Sequence, residues 1–153
     1  MPELSSRLAE VFIYRMNGDV PEYLILRRSD KVIYSGIWSV CAGKIEPGEK
    51  AYEAALREMR EETGLVPEEL YNVDSVNVFY DPVTDEMHVV PVFLARIENR
   101  KVTLNDEHTE FQWHEAEEAV KMLHWISHKN NLRLIQKCLT DKEYFRSLNL
   151  ISK

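Results

Sequence analysis

Residues 43–65 read GKIEPGEKAYEAALREMREETGL, and the spacing of charged residues in this stretch organises the rest of the chain. A helix turns once every 3.6 residues, so Glu58 and Glu62 are neighbours on one face, and Glu61 lies on the same side one turn on from Glu58. Like charges at that spacing repel by a few tenths of a kcal/mol, roughly, per pair. A hard divalent cation reverses the sign, because Mg2+ or Mn2+ takes carboxylate oxygens as ligands. Arg57 is placed to pair with Glu53 or Glu61 at four-residue spacing, and with Glu49 two turns earlier. Its expected task is to orient carboxylates. Pro47-Gly48 signals a turn just before the helix, which we read over about Glu49 to Thr63. Gly43 and Gly64 bracket it, and a glycine lets backbone approach a metal or ligand closely. Ala51, Tyr52, Ala55, Leu56 and Met59 form the apolar stripe expected to pack on a sheet.

The same residues fill every defined position of the Nudix box, G-x5-E-x7-R-E-U-x-E-E-x-G-U with U aliphatic: Gly43, Glu49, Arg57, Glu58, Met59, Glu61, Glu62, Gly64 and Leu65. The chain therefore resembles the Nudix hydrolases. The resemblance implies an α/β fold, an α/β/α sandwich with a mixed β-sheet and a loop-helix-loop catalytic element. It also implies Mg2+-dependent attack of water on a nucleoside diphosphate linked to another group, with Mn2+ as an alternative metal. Gly43, Glu58, Glu61 and Glu62 become the expected metal ligands. Glu61, Glu58 and Arg57 become catalytic candidates.

Outside the box, the segment NDEHTEFQW around Glu107 is similar to one in dihydroneopterin-triphosphate and dATP pyrophosphohydrolases and in asymmetric dinucleoside tetraphosphate hydrolases. In several Nudix enzymes a loop glutamate so placed adds a metal ligand or acts as base, so Glu107 joins the catalytic candidates. The bland alternative is a solvated loop carboxylate. His108 reads as a surface histidine, with phosphate contact or proton transfer near neutral pH as the alternative. Arg27 and Arg28 end a strand and alternate in face, and Arg28 is the candidate for a terminal phosphate. Trp38 and Tyr34 are candidates for contact with a flat base, against a core role for Trp38; Tyr80 is a further stacking candidate. Trp113 reads as core. His124 and His128 are spaced by four on the C-terminal helices but lack a third ligand.

Cys41-Ala42-Gly43 stands where many triphosphate-cleaning relatives have Pro-Gly-Gly, and resembles more the dihydroneopterin-triphosphate type. The expected activity is pyrophosphohydrolysis of a nucleotide-like triphosphate, dATP or dihydroneopterin triphosphate in type, to monophosphate and pyrophosphate. The competing readings are a dinucleoside polyphosphate hydrolase and a non-catalytic nucleotide-sensing module.

Bulk properties fit. The 153 residues, 1–153, suit a single domain, and the formal charge of −7 without a basic run argues against general nucleic-acid binding. No apolar leader or membrane-spanning run is visible, and Cys41 and Cys138 lack metal-ligand spacing, so reduced thiols and a cytoplasmic location are expected. Family members are often dimers, which leaves a homodimer open. Strands are expected over Arg7–Met16, Glu22–Arg28, Ile37–Ala42, Asn72–Tyr80, Glu86–Ile97 and Thr109–Trp113. Helices are expected over Glu115–Trp125 and Ser127–Leu139, followed by a charged tail.

Overall fold

Alternation in the first long strand explains the layering. In a computed structural model, which describes residues 1–152, the elements run β1 (Glu3–Ser5), β2 (Leu8–Asn17), β3 (Val20–Arg28), β4 (Trp38–Ser39), β5 (Cys41–Lys44), α1 (Ala51–Thr63), β6 (Glu69–Asp81), β7 (Glu86–Arg96), β8 (His108–Glu115), α2 (Ala116–Met122), α3 (Ile126–Thr140), α4 (Lys142–Phe145) and β9 (Asn149–Ser152). Ala9, Val11 and Ile13 of β2 pack with Met59 and Ala55 of α1, whereas Phe12 and Tyr14 pack with Leu132 and Ile135 of α3. β3 repeats the division, with Leu24 and Leu26 on the α1 side and Tyr23 and Ile25 on the α3 side. A sheet covered on both faces needs apolar residues at successive positions, which accounts for the unbroken run VFIY, Val11 to Tyr14.

The sheet order is β4-β3-β2-β7-β6-β9, with β1 on β7, β5 on β2 and β8 on β3. β2 and β1 run parallel to β7, and the other pairs are antiparallel, so the sheet is mixed as expected. No helix among the described residues is long and apolar enough to cross a membrane.

Four boundaries differ from the sequence reading. The helix of the box starts at Ala51 and not Glu49, because Glu53 turns back to accept from the Lys50 N–H at 2.8 Å and caps the first turn. Glu53 is thereby unavailable to Arg57. The expected strand Ile37–Ala42 splits in two, β4 pairing with β3 and β5 with β2, as the chain steps between partners at Val40. The Glu115–Trp125 helix stops at Met122, where Leu123 turns extended and the His124 N–H donates to the Trp38 carbonyl at 3.0 Å. The charged tail is ordered, since α4 and β9 follow and β9 extends the sheet beside β6.

Candidate active site

Arg57 ties the loop before α1 to the helix itself. Its Nε and Nη2 donate to the two oxygens of Glu49 at 2.8 and 2.9 Å, and Nη2 also donates to the Lys44 carbonyl at 2.8 Å. Nη1 reaches Glu58 Oε1 at 2.7 Å and Glu61 Oε2 at 3.4 Å. The fork geometry of a guanidinium suits this, since it meets a carboxylate with two parallel bonds. The hydrogen bonds from Arg57 hold the Glu49 carboxyl down at about 2. Arg57→Lys loses the bidentate contact but keeps the charge. We expect it to lower kcat by about tenfold or more while leaving the thermal melt near wild type. Steady-state kinetics and calorimetry on the same preparation read both.

Glu58, Glu62 and Glu107 converge. Each offers one oxygen within 4.8 Å of the others. The helix supplies Glu58 and Glu62 from one face, and the segment leading into β8 supplies Glu107. Glu62 is nearly fully buried, at 2 % exposed, and Glu58 is half-buried. Gly43 lies directly against Glu58, for a Cβ placed there would sit 2.1 Å from Glu58 Cδ. Gly43 belongs to a strand, so the requirement at this position is close approach and not a positive φ. Gly64 does need the left-handed conformation, closing α1 at φ 73° with its N–H bonded to the Arg60 carbonyl at 2.8 Å.

Glu61 takes a different course. It follows Glu58 by three residues, about −60° round the helix, whereas Glu62 follows by four, about +40°. The first rotation carries Glu61 to solvent, where it meets Arg57; the second carries Glu62 into the core. Among the described residues the three-carboxylate group contains Glu107 in the place expected for Glu61.

Two neighbours of Glu62 went unnoticed in the sequence. The Cys41 thiol donates to Glu62 Oε2 at 3.0 Å, and His108 Nδ1 lies 3.6 Å from Glu62 Oε1. His108 is buried, and not the surface histidine expected. Burial and then the charge of Arg28 push it down to about 4, which favours the neutral imidazole at neutral pH. A signal for Cys41 existed, because pairing with Val11 places it on the α1 side of the sheet.

Burial pushes Glu62 up to about 8, with Glu58 and Glu107 raising it further against the Cys41 hydrogen bond and Arg28; Glu58 is also raised, chiefly by burial. A raised carboxyl stabilises the fold fully below its ordinary 4.5, and that stability is lost as pH rises through about 8. The neutral buried His108 acts oppositely below its ordinary 6.5. The window from about pH 7 to 9 therefore reports the carboxylates. In EDTA we expect the wild-type melting temperature to fall across that window, Glu62→Gln to flatten the fall, and Mg2+ to restore the wild type. A flat wild-type profile overturns this.

The remaining candidates are spread around this centre. Arg28 donates to the Ile33 carbonyl at 2.7 Å and acts on both Glu62 and His108, whereas Arg27 pairs with Glu110 at 2.9 Å. Trp38 is half-buried against the α3-side core. Tyr34 is 61 % exposed, at φ 57°, with its ring edge-on to Trp125 at 5.4 Å. Tyr80 lies on the distant β6–β7 hairpin, bonded to Asp85 at 2.9 Å. Trp113 is partly buried beneath the Arg15 guanidinium. His124 precedes α3 and does not share a helix with His128, which is buried against Glu10.

The sequence model of the NUDIX domain matches residues 6–135. This chain belongs to the Nudix family. It is a hydrolase acting on phosphoanhydride bonds. Over 124 residues it is 29 % identical to the mouse asymmetrical bis(5'-nucleosyl)-tetraphosphatase, covering 79 % of this chain and 82 % of that protein. It is 27 % identical over 121 residues to the nucleoside triphosphatase NudI of Salmonella arizonae, covering 73 % and 86 %. The fold superposes on the dihydroneopterin triphosphate pyrophosphohydrolase of Escherichia coli with a TM-score of 0.71 at 20 % identity, over 87 % of this chain and 96 % of that one.

Nudix hydrolases generally use divalent metals, and the donor set of this Nudix chain fits one. Three carboxylates with converging oxygens, two of them raised in pKa chiefly by burial, match the hard-oxygen preference of Mg2+ or Mn2+.

Proposed function

We propose that this Nudix hydrolase cleaves a nucleotide-like triphosphate, of the dATP or dihydroneopterin triphosphate type, to a monophosphate and pyrophosphate. The observation that carries the reading is the convergence of Glu58, Glu62 and Glu107 beside Gly43. Glu58, Glu62 and the Gly43 carbonyl would hold Mg2+, with whichever of Glu107 and Glu61 is not the base completing the set. A bound cation supplies Lewis-acid charge that acidifies water and offsets the diphosphate charge. Glu107 accepts the proton of the attacking water, whose oxygen bonds to phosphorus as the anhydride P–O bond breaks. Arg28 offsets charge on a terminal phosphate. Trp38 and Tyr34 flank the base. Free, buried Cys41 and Cys138 suit a reducing, cytoplasmic location.

A second reading, dinucleoside polyphosphate hydrolysis, is supported by the mouse relative and by the exposed Tyr34 ring, which would offer a second base a stacking face. Incubation with dATP, dihydroneopterin triphosphate, diadenosine tetraphosphate, ADP-ribose and sugar nucleotides, with products identified by ion-exchange chromatography, separates the two. The expected result is Mg2+-dependent release of pyrophosphate from a triphosphate. Preferential cleavage of the tetraphosphate to a triphosphate and a monophosphate selects the second reading. Ligand binding without metal-dependent turnover selects a sensing module and overturns both.

A further inference from the structure

Glu10 and His128 form a buried pair that the site above does not use. Both are 4 % exposed, and His128 Nε2 lies 3.1 Å from Glu10 Oε2. This hydrogen bond uses only Nε2 of the imidazole and Oε2 of the carboxyl group. Among the described residues, Glu10 Oε1 and His128 Nδ1 are then left buried without a hydrogen-bond partner. Unsatisfied buried polar atoms cost stability, and folding alone gives no reason to keep them here.

Their surroundings point outward to a ligand. Glu10 stands opposite Ala42 in the β2–β5 pair and faces the α3 side; the next pair, Ala9–Gly43, faces the α1 side beside Glu58, and the two faces meet along β5, which among the described residues pairs only with β2. Ala42 is exposed and carries only a methyl group, so the sheet is open next to the buried carboxylate. Trp125 meets the His128 ring edge-on at 5.3 Å, and Tyr34 meets Trp125 edge-on at 5.4 Å. The two aromatics lead from the exposed loop to the pair. A flat ring finds stacking partners there, and at its inner end an acceptor lacking a donor.

The geometry points to Glu10 and His128, flanked by Tyr34 and Trp125, as the subsite that receives the substrate's heterocycle and selects rings bearing an amino group. This rests on the nucleotide-like substrate proposed above. An amino group of adenine, cytosine, guanine or a pterin donates to Glu10 Oε1. Uracil and thymine present carbonyl oxygens in place of that amino group, and these meet the carboxylate as like partial charges.

Equilibrium binding of dAMP and dUMP in the presence of Mg2+ tests it. Monophosphates contain no anhydride, so the readout does not depend on turnover, and a failure to cleave triphosphates leaves it interpretable. We expect wild type to bind dAMP about tenfold or more tightly than dUMP. Glu10→Met keeps the volume and removes the acceptor, and should bring the ratio to within about threefold of unity with an unchanged or raised melting temperature. Tyr34→Ala, at an exposed position, should weaken both ligands alike and preserve the ratio. Should Glu10→Met fail to fold, His128→Gln carries the same comparison and must also reduce the ratio. A wild-type ratio near one, a ratio unchanged in the Glu10 or His128 variant, or no binding of either monophosphate overturns the proposal. A purely structural pair would move the melting temperature and leave the ratio untouched.

Discussion

Gly43→Ala should reduce metal-dependent turnover by about a hundredfold or more, although it adds a single methyl group. The added Cβ would lie 2.1 Å from Glu58 Cδ, 2.3 Å from Oε1 and 2.5 Å from Cγ, distances at which something must move. Glu58 has little freedom to yield, because Arg57 grips its Oε1 at 2.7 Å and Arg57 is itself held by Glu49 and the Lys44 carbonyl. The displacement therefore falls on the carboxylate or on β5, and either one spreads the oxygen cluster. The signature is a lowered kcat together with a raised Mg2+ requirement, at a melting temperature that shows the sheet intact. Wild-type kcat at wild-type Mg2+ would mean that the Glu58 position is immaterial to the chemistry.

The carboxylates themselves carry the other large effect. Glu58→Gln and Glu62→Gln should each cost at least about a hundredfold in kcat, since each removes charge from the site that offsets the cation. Glu107→Gln and Glu61→Gln separate the two assignments of the proton acceptor. With Glu107 as base, its glutamine variant loses on the order of 10²–10⁴ in kcat with Mg2+ affinity little changed, and the exposed Glu61 variant loses far less. The reverse order would move the base to Glu61. If Glu62→Gln turns over like wild type at saturating Mg2+, the buried carboxylate has no part in the reaction, and its cost to the metal-free fold would be unexplained.

Much of this was legible because it is local. The box helix, its apolar stripe and the adjacency of Glu58 and Glu62 follow from helical geometry within one continuous segment of 13 residues. The β2–β3 hairpin follows from alternation around Asn17-Gly18. The two-sided burial of β2 is visible in its unbroken apolar run. The errors lie where the partner is distant. β4 and β5 looked like one strand because nothing in residues 37–42 says that two different neighbours will pair with them. β9 looked like a charged tail because its partner β6 is some eighty residues away in the chain. His108 looked like a surface residue because its polar flanks, Glu107 and Thr109, hide a strand position that points inward.

Taken alone, the sequence determined the chemistry available to this protein: a Nudix helix whose 3.6-residue period stacks carboxylates, and an arginine spaced to hold them. Only the tertiary structure decided which side chains meet. Glu107 rather than Glu61 meets Glu58 and Glu62, Cys41 reaches Glu62, and Glu10 meets His128 across 118 residues of chain. Helical spacing is set by the backbone and can be counted, whereas these contacts depend on strand register and on which face of the sheet a helix covers. Those are settled by burial of the two apolar layers together, and no single segment encodes them.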